Sequence, residues 1–278
     1  MPAESKYETV LIEKEDRIAY VILNRPEKRN AMSPQLHRDM DAALDDVADD
    51  PDTDVLVLTG AGEAWCAGQD LRLFFREGDK NPASMRKARA ASHSWRWQKL
   101  STFPKPTIAM INGYCFGGAF TQACACDFAI CADDAIFGLS EVNWGILPGG
   151  IVSWNVAQTL NFRDALYYAM TGDTFDGKKA QAMGFVNFSV PRAELKAAVV
   201  KLAKKLQEKS PAAMRYTKDA IRAVRTMSEP QAVDYLNAKS DALRFSDREH
   251  SREKGMRQFL DEKTYRPGFT QFDREGKE

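Results

Sequence analysis

Pro106-Thr107-Ile108-Ala109-Met110-Ile111-Asn112-Gly113 is an apolar run too short for a helix and closed by turn residues, which predicts a buried strand. A glycine-rich turn at Gly117-Gly118, an apolar helix at about 117–125 and a further strand, Phe128-Ala129-Ile130-Cys131, follow it. Upstream, Asp54-Val55-Leu56-Val57-Leu58-Thr59-Gly60 has the same buried-strand character. Strand, helix and strand in alternation predict an α/β architecture with parallel pairing.

Working outward, Val10-Leu11-Ile12 and Ile18-Ala19-Tyr20-Val21-Ile22-Leu23 flank a polar turn and predict a β-hairpin. Ser33-Pro34 offers an N-cap and a first-turn proline, with Leu36, Met40, Leu44 and Val47 at helical spacing behind it. Residues 84–102 are expected to be helical. After Pro191 the composition changes. Leu195, Val199, Leu202 and Leu206 mark one amphipathic helix, and Ser210-Pro211 starts another carrying Met214, Ile221 and Val224. Residues 229–262 predict one or two more, and the last dozen residues are polar and expected to be loose. The chain is therefore expected to divide into an α/β body (1–191) and a helical C-terminal region (192–278). Apolar stripes outside the main core point to packing on another subunit.

Bulk properties narrow the function. A length of 278 residues suggests one large or two ordinary units. The 39 basic residues balance the 39 acidic ones, which argues against a protein built to hold nucleic acid or an acidic membrane surface. No apolar run reaches the ~18 residues needed to cross a bilayer, and Met1-Pro2-Ala3-Glu4-Ser5-Lys6-Tyr7 lacks the apolar segment of a secretory signal. Five cysteines without such a signal predict reduced thiols and a cytoplasmic protein. Cys124 and Cys126 have no second pair or adjacent histidine, so no metal site is expected.

Three segments carry the candidate chemistry. Ala67-Gly68-Gln69-Asp70-Leu71, after the 54–60 strand, leaves backbone N–H groups free for an anion or developing oxyanion. Gly117-Gly118, after the next strand, lets the backbone approach a ligand closely. Two such turns can supply the two donors an oxyanion hole needs. In the third, Ser140-Glu141-Val142-Asn143-Trp144-Gly145-Ile146, Glu141 is the only acid in an apolar, glycine-rich stretch. Burial beside Trp144 and Ile146 would raise its pKa toward neutrality, as a general acid–base group requires. The alternative is a helix cap or an arginine partner. Trp95 and Trp97, with Arg96, either line a pocket or belong to the core.

Together with Asn24-Arg25-Pro26-Glu27-Lys28-Arg29-Asn30-Ala31, Phe137-Gly138 and Gly145-Ile146-Leu147-Pro148-Gly149, these segments resemble the crotonase (enoyl-CoA hydratase/isomerase) superfamily along essentially the whole chain. The resemblance implies a spiral of ββα turns, with a helical C-terminal region that assembles trimers or hexamers and closes the site. It implies a coenzyme A thioester as substrate, no permanently bound cofactor, and a thioester carbonyl held by the N–H groups of Gln69 and Gly118. Lys28 and Arg29 would meet the coenzyme's phosphates, and the backbone of Ala67, Gly68, Gln69, Asp70 and Leu71 its adenine. Lys254, Arg257 and Lys263 either reach a neighbouring subunit's coenzyme or form a solvated helix face.

Within the superfamily the likeness is to the hydroxycinnamoyl-CoA (feruloyl-CoA) hydratase-lyases, through Gly60-Ala61-Gly62-Glu63-Ala64-Trp65, Cys115-Phe116-Gly117-Gly118, Ser140-Glu141 with Asn143-Trp144, and Gly255-Met256 with Gln258-Phe259-Leu260-Asp261. Ordinary hydratases of the superfamily carry two catalytic glutamates. Here the first position holds Thr121, and Glu141 alone remains. The hydratase-lyases also place two tyrosines around a phenolic hydroxyl, at positions that here hold Phe74 and Asn237, and a phenylalanine ring offers no hydrogen bond. The resemblance implies hydration of an aromatic enoyl-CoA and cleavage to an aldehyde and acetyl-CoA. The alternatives are a single-glutamate hydratase or isomerase of another acyl-CoA, and a non-catalytic relative that binds RNA or a protein partner.

Overall fold

The structure, a computed structural model, describes residues 6–270 and 272–274. Two compact units form: residues up to Phe103 with Thr107–Val200, and Pro104–Pro106 with the chain from Lys201 onward.

In the first unit, β1 (Val10–Glu15) and β2 (Ile18–Leu23) form the expected antiparallel hairpin. Asp16 and Arg17 both take positive φ at its two-residue turn, the backbone such tight hairpins use. The hydroxyl of Ser33 accepts the N–H of Leu36 and starts α1 (Pro34–Asp49), whose Leu36, Met40, Leu44 and Val47 are buried. Then follow β3 (Val55–Gly60), β4 (Ala64–Cys66), α2 (Pro82–His93), β5 (Thr107–Ile111), β6 (Tyr114–Phe116), α3 (Ala119–Ala125), β7 (Phe128–Ala132) and β8 (Ile136–Gly138). α4 (Val152–Thr159), α5 (Phe162–Thr171), β9 (Thr174–Asp176), α6 (Gly177–Ala182) and β10 (Phe188–Val190) complete the unit, and its boundary falls inside α7 (Leu195–Gln207).

The strands sort into two sheets, ordered β1-β2-β3-β5-β7-β10 and β4-β6-β8-β9. From β2 through β3, β5, β7 and β10 every pairing of the large sheet is parallel. Each pair β3/β4, β5/β6 and β7/β8 sends its first strand to the large sheet and its second to the small one. This is the expected spiral of ββα turns. β3 is buried along its whole length because both faces are covered. Phe120, Phe137, Phe175 and Phe185 pack together in the core, with Phe137 and Phe175 stacked 5.3 Å apart.

Two local expectations are corrected. The helix expected to open at about 117 begins at Ala119, because Gly117 has φ +51° and belongs to the turn. The helix expected over 84–102 is regular only to His93; Ser94–Lys99 takes a wider π-type winding.

The second unit contains α8 (Pro211–Val224), capped by the Ser210 hydroxyl, α9 (Glu229–Ser246), opened by a Ser228–Gln231 capping box, and α10 (Ser251–Leu260). Ile221, Val233, Leu236 and Phe245 of these helices are exposed. The expected loose tail is held over its described part. Gln258 exchanges two hydrogen bonds with the backbone of Asp273, and Arg274 pairs with Glu249. Residues 271 and 275–278 of that tail lie outside the described residues. Among the described residues no helix is long and apolar enough to cross a membrane.

Candidate active site

β4 and β6 pair in parallel, Ala64 opposite Tyr114 and Cys66 opposite Cys115. The turns that follow the two strands therefore emerge side by side. Gly68, with φ +89°, presses so close that a Cβ there would stand 2.7 Å from the Phe116 carbonyl oxygen and 3.6 Å from the Gly118 nitrogen. Only glycine tolerates both the dihedral and the distance.

That contact sets the direction of the next amide. Met32 N–H donates to Gly68 O at 2.8 Å, and Asp70 N–H donates to Met32 O at 3.0 Å. In a parallel bridge these flanking groups face the neighbouring strand, so the N–H of Gln69 points the other way. Neither the Gln69 N–H nor the Gly118 N–H has an acceptor among the described residues. Two free amides thus stand on adjoining turns.

Glu141 enters from the short turn after β8 (Ser140–Trp144). Its carboxylate lies against Gly117, where a Cβ would come within 2.9 Å of Oε1. Its Oε2 is buried and unpartnered. Desolvation raises its pKa above the ordinary carboxyl value. Trp144 is 63% exposed and Ile146 is also exposed, and the turn at Gly117 packs against the carboxyl.

On the other side of the glycine pair lies Arg96. Its Nη1 donates to the Gly118 carbonyl oxygen at 3.1 Å, and its Nε donates to the carbonyl and hydroxyl of Ser92. Behind Gln69, its side-chain Oε1 stands 2.8 Å from His37 Nε2, and its Nε2 donates to Ser92 Oγ. His37 is fully buried, and that desolvation, aided by the Arg96 charge, pushes its pKa down to about 3.

Gln69, Ser92, Arg96, Gly117, Gly118 and Glu141 border one cavity of about 730 Å³, with His37 buried behind Gln69, within the size range of small-molecule sites. Of the residues singled out from sequence, Ala67, Gly68, Gln69, Leu71, Phe74, Gly118, Ser140, Glu141 and Trp144 line it. Asp70 does not: its carboxylate accepts the Leu73 N–H and pairs with Arg25 at 3.1 Å. Ala67 has its N–H committed to the Arg29 carbonyl. Thr121 is buried with an unpartnered hydroxyl one turn beyond Gly118, outside the cavity wall. Lys28 and Arg29 lie on the exposed turn before Asn30, with Arg29 paired to Glu63 and stacked on Tyr114. Asn237 is exposed on α9 of the second unit.

Among the described residues no three metal-binding side chains cluster. None of the five cysteines forms a disulfide, and none lines the cavity. The tryptophan pair divides: Trp95 is core, Trp97 packs edge-on to Trp154, and Arg96 between them lines the cavity. His37 and Ser92 carry no motif that marks them in the sequence; the spacing of Ser92 and Arg96 by one helical turn is the available signal. Chemically, the amides can hold a carbonyl oxygen that becomes negative, while Glu141 takes or returns a proton beside it.

With this geometry in hand, comparison with known proteins is direct. A family model described as enoyl-CoA hydratase/isomerase matches residues 13–271. A hydroxycinnamoyl-CoA hydratase-lyase of Pseudomonas fluorescens is 52% identical over 98% of this chain and 99% of its own length. Among solved structures, an enoyl-CoA hydratase of Bacillus anthracis superposes with a TM-score of 0.83 at 26% identity, covering 92% of this chain and 97% of that one. A Geobacillus kaustophilus enoyl-CoA hydratase subunit gives 0.83 at 28% identity, covering 96% and 99%.

Proposed function

The chain belongs to the enoyl-CoA hydratase/isomerase family, and from that premise we propose that it is a hydratase-lyase. It adds water to an aromatic enoyl-CoA of the 4-hydroxycinnamoyl or feruloyl type and cleaves the product to an aromatic aldehyde and acetyl-CoA. The observation that carries this is Glu141: a half-buried carboxyl with an unpartnered oxygen, bordering the same cavity as two amides that bond nothing among the described residues.

The thioester oxygen accepts from Gln69 N–H and Gly118 N–H. Glu141 removes a proton from water as the water oxygen bonds to Cβ, and the electron pair of the double bond moves to the thioester as an enolate. Losing one donor to such an oxygen typically costs about 2.7–4 kcal/mol of transition-state stabilisation. Protonated Glu141 then delivers its proton to Cα. For cleavage, Glu141 takes the β-hydroxyl proton, the Cα–Cβ bond breaks to aldehyde and enolate, and the enolate recovers that proton as acetyl-CoA. One hole and one carboxyl serve both halves because both pass through a thioester enolate.

Lys28 and Arg29 are assigned to the coenzyme's phosphates and the 67–71 backbone to its adenine. The exposed apolar residues of α8 and α9 are assigned to assembly as a trimer or a hexamer of paired trimers, and the protein to the cytoplasm. Phe74, which offers no hydrogen bond to a phenol, favours the second reading, a single-glutamate hydratase of another acyl-CoA. Incubation with feruloyl-, 4-coumaroyl-, cinnamoyl- and crotonyl-CoA decides between them. Aldehyde and acetyl-CoA from the phenolic thioesters support the lyase, and hydration of crotonyl-CoA alone overturns it.

A further inference from the structure

Arg96 is only 7% exposed, yet it forms no ion pair with any described residue. Burying a cation without a counter-charge is costly, and burial here pushes its pKa down to about 10. The guanidinium nevertheless keeps its proton near neutral pH. Three protein acceptors occupy only part of the fork: Ser92 O and Oγ on Nε, and Gly118 O on Nη1. Nη2 has no partner among the described residues.

The direction of that free edge is fixed by its surroundings. Nη2 stands 3.6 Å from where a Cβ of Gly150 would be, and Gly150 and Arg96 both line the cavity. No side chain on Gly149 or Gly150 comes between. Arg96 also sits in the π-type winding of Ser94–Lys99, a departure from helical regularity frequent at functional sites. Glu141 lies across the glycine pair, against Gly117 while Arg96 lies against Gly118, and its Oε2 has no partner. The cavity therefore has a proton-transfer carboxyl on one wall and an uncompensated, hydrogen-bond-donating cation on another.

We propose that Arg96 is a specificity-determining residue that binds a negatively charged oxygen on the acyl group of the substrate. This inference rests on the acyl-CoA reading of the cavity. The oxygen has two chemical sources, a ring phenolate or a carboxylate, and a planar guanidinium edge suits either. Such a contact replaces what Phe74 cannot supply. It also provides the buried charge with its counter-ion when the site is filled.

Binding separates this inference from the lyase reading. Affinities of 3-phenylpropanoyl-CoA, its 4-hydroxy and its 4-carboxy derivatives are measured by calorimetry, since these saturated thioesters undergo neither hydration nor cleavage. The native protein is expected to prefer an oxygenated ring by at least about tenfold. Arg96→Gln, which keeps a donor of similar size, is expected to abolish that preference, weakening the oxygenated thioesters more than the unsubstituted one. Arg96→Lys is expected to retain part of it, and serves if the Gln variant does not fold. Preference for the phenol alone or the carboxylate alone identifies the source. An equal loss for all three thioesters, or an unchanged preference, overturns the proposal and leaves Arg96 as a support for the Gly118 peptide. Intact preference without any aldehyde formation would instead sink the lyase reading alone.

Discussion

Trp95 donates its indole N–H to Nδ1 of His37 at 2.9 Å, and this bond settles which imidazole nitrogen carries the proton. An indole N–H is only a donor, so Nδ1 must accept. The proton then sits on Nε2 and is donated to Gln69 Oε1 at 2.8 Å. The relay runs from Trp95 through His37 to the residue whose backbone N–H faces the cavity.

Because the His37 pKa is pushed down to about 3 from 6.5, the imidazole is expected to stay neutral from pH 8 to pH 5. Its ring carbon shifts in an NMR titration should remain flat over that range. The folded pKa lies below the unfolded one, so the unfolded chain takes up the proton first. Stability held above pH 6.5 is therefore lost as pH falls toward 3, at up to about 1.4 kcal/mol per pH unit from this group. A His37 titration midpoint near 6.5 in the folded protein would refute the assigned relay.

Glu141→Gln is expected to lower turnover by about 10²–10⁴-fold, the usual worth of a positioned acid–base group. The raised pKa makes a second prediction with the opposite sign for stability. A carboxyl whose folded pKa lies above its unfolded value is stabilising only when protonated, so its ionised form strains the fold once pH passes the folded pKa. The variant should melt a few degrees higher than the native protein at pH 8 and no higher at pH 4. Equal melting shifts at both pH values would remove desolvation as the cause.

Five of the six strands of the large sheet and the two glycine turns were legible in the chain because each is local. Val55–Leu58 and Ile108–Ile111 are unbroken apolar runs, and the glycines at 68 and 117–118 come a short way beyond them, after the three-residue strands β4 and β6. β4, β6, β8, β9 and β10 escaped because each has only three residues, too few to show a period. Glu141 stood out by being the lone acid, but what packs against it, the Gly117 turn, is a contact between separate spiral turns. His37 was illegible as a site residue for the same reason, and the sequence leaves Arg96 between pocket and core. His37 reads as one more residue on the buried face of α1, and only its meeting with Gln69 and Trp95, far along the chain, gives it a role.

The two turn glycines are expected to fail differently when a methyl is added. At Gly68 the added carbon meets backbone, the Phe116 carbonyl at 2.7 Å, with φ at +89°. Gly68→Ala should cost about 1–3 kcal/mol from the dihedral alone and more from the clash, measured as a fall in denaturation midpoint. At Gly117 the carbon meets the Glu141 carboxylate at 2.9 Å. Gly117→Ala should therefore displace the acid–base group, so that turnover falls further than its dihedral strain lowers stability. The reverse ranking, with Gly68→Ala stable but inactive and Gly117→Ala unfolded but active, would contradict the packing.

Asp70 lies in the turn expected to meet the coenzyme, yet its side-chain chemistry is spent inside the protein. Oδ1 accepts the Leu73 N–H and caps the following turn, while Oδ2 pairs with Arg25, itself nearly buried. Breaking a buried pair by removing one partner typically costs about 3–5 kcal/mol, because the remaining charge is left unpaired. Asp70→Asn keeps the cap acceptor but strands the Arg25 charge, so its melting temperature should fall by about 2–4 °C for each kcal/mol lost. Arg25→Met with Asp70→Leu removes both charges and should recover part of that loss, except for the missing cap. Neither change touches the cavity wall, so KM for the acyl-CoA should hold. A KM raised by about tenfold, worth about 1.4 kcal/mol of binding, at an unchanged melting temperature would return Asp70 to the substrate.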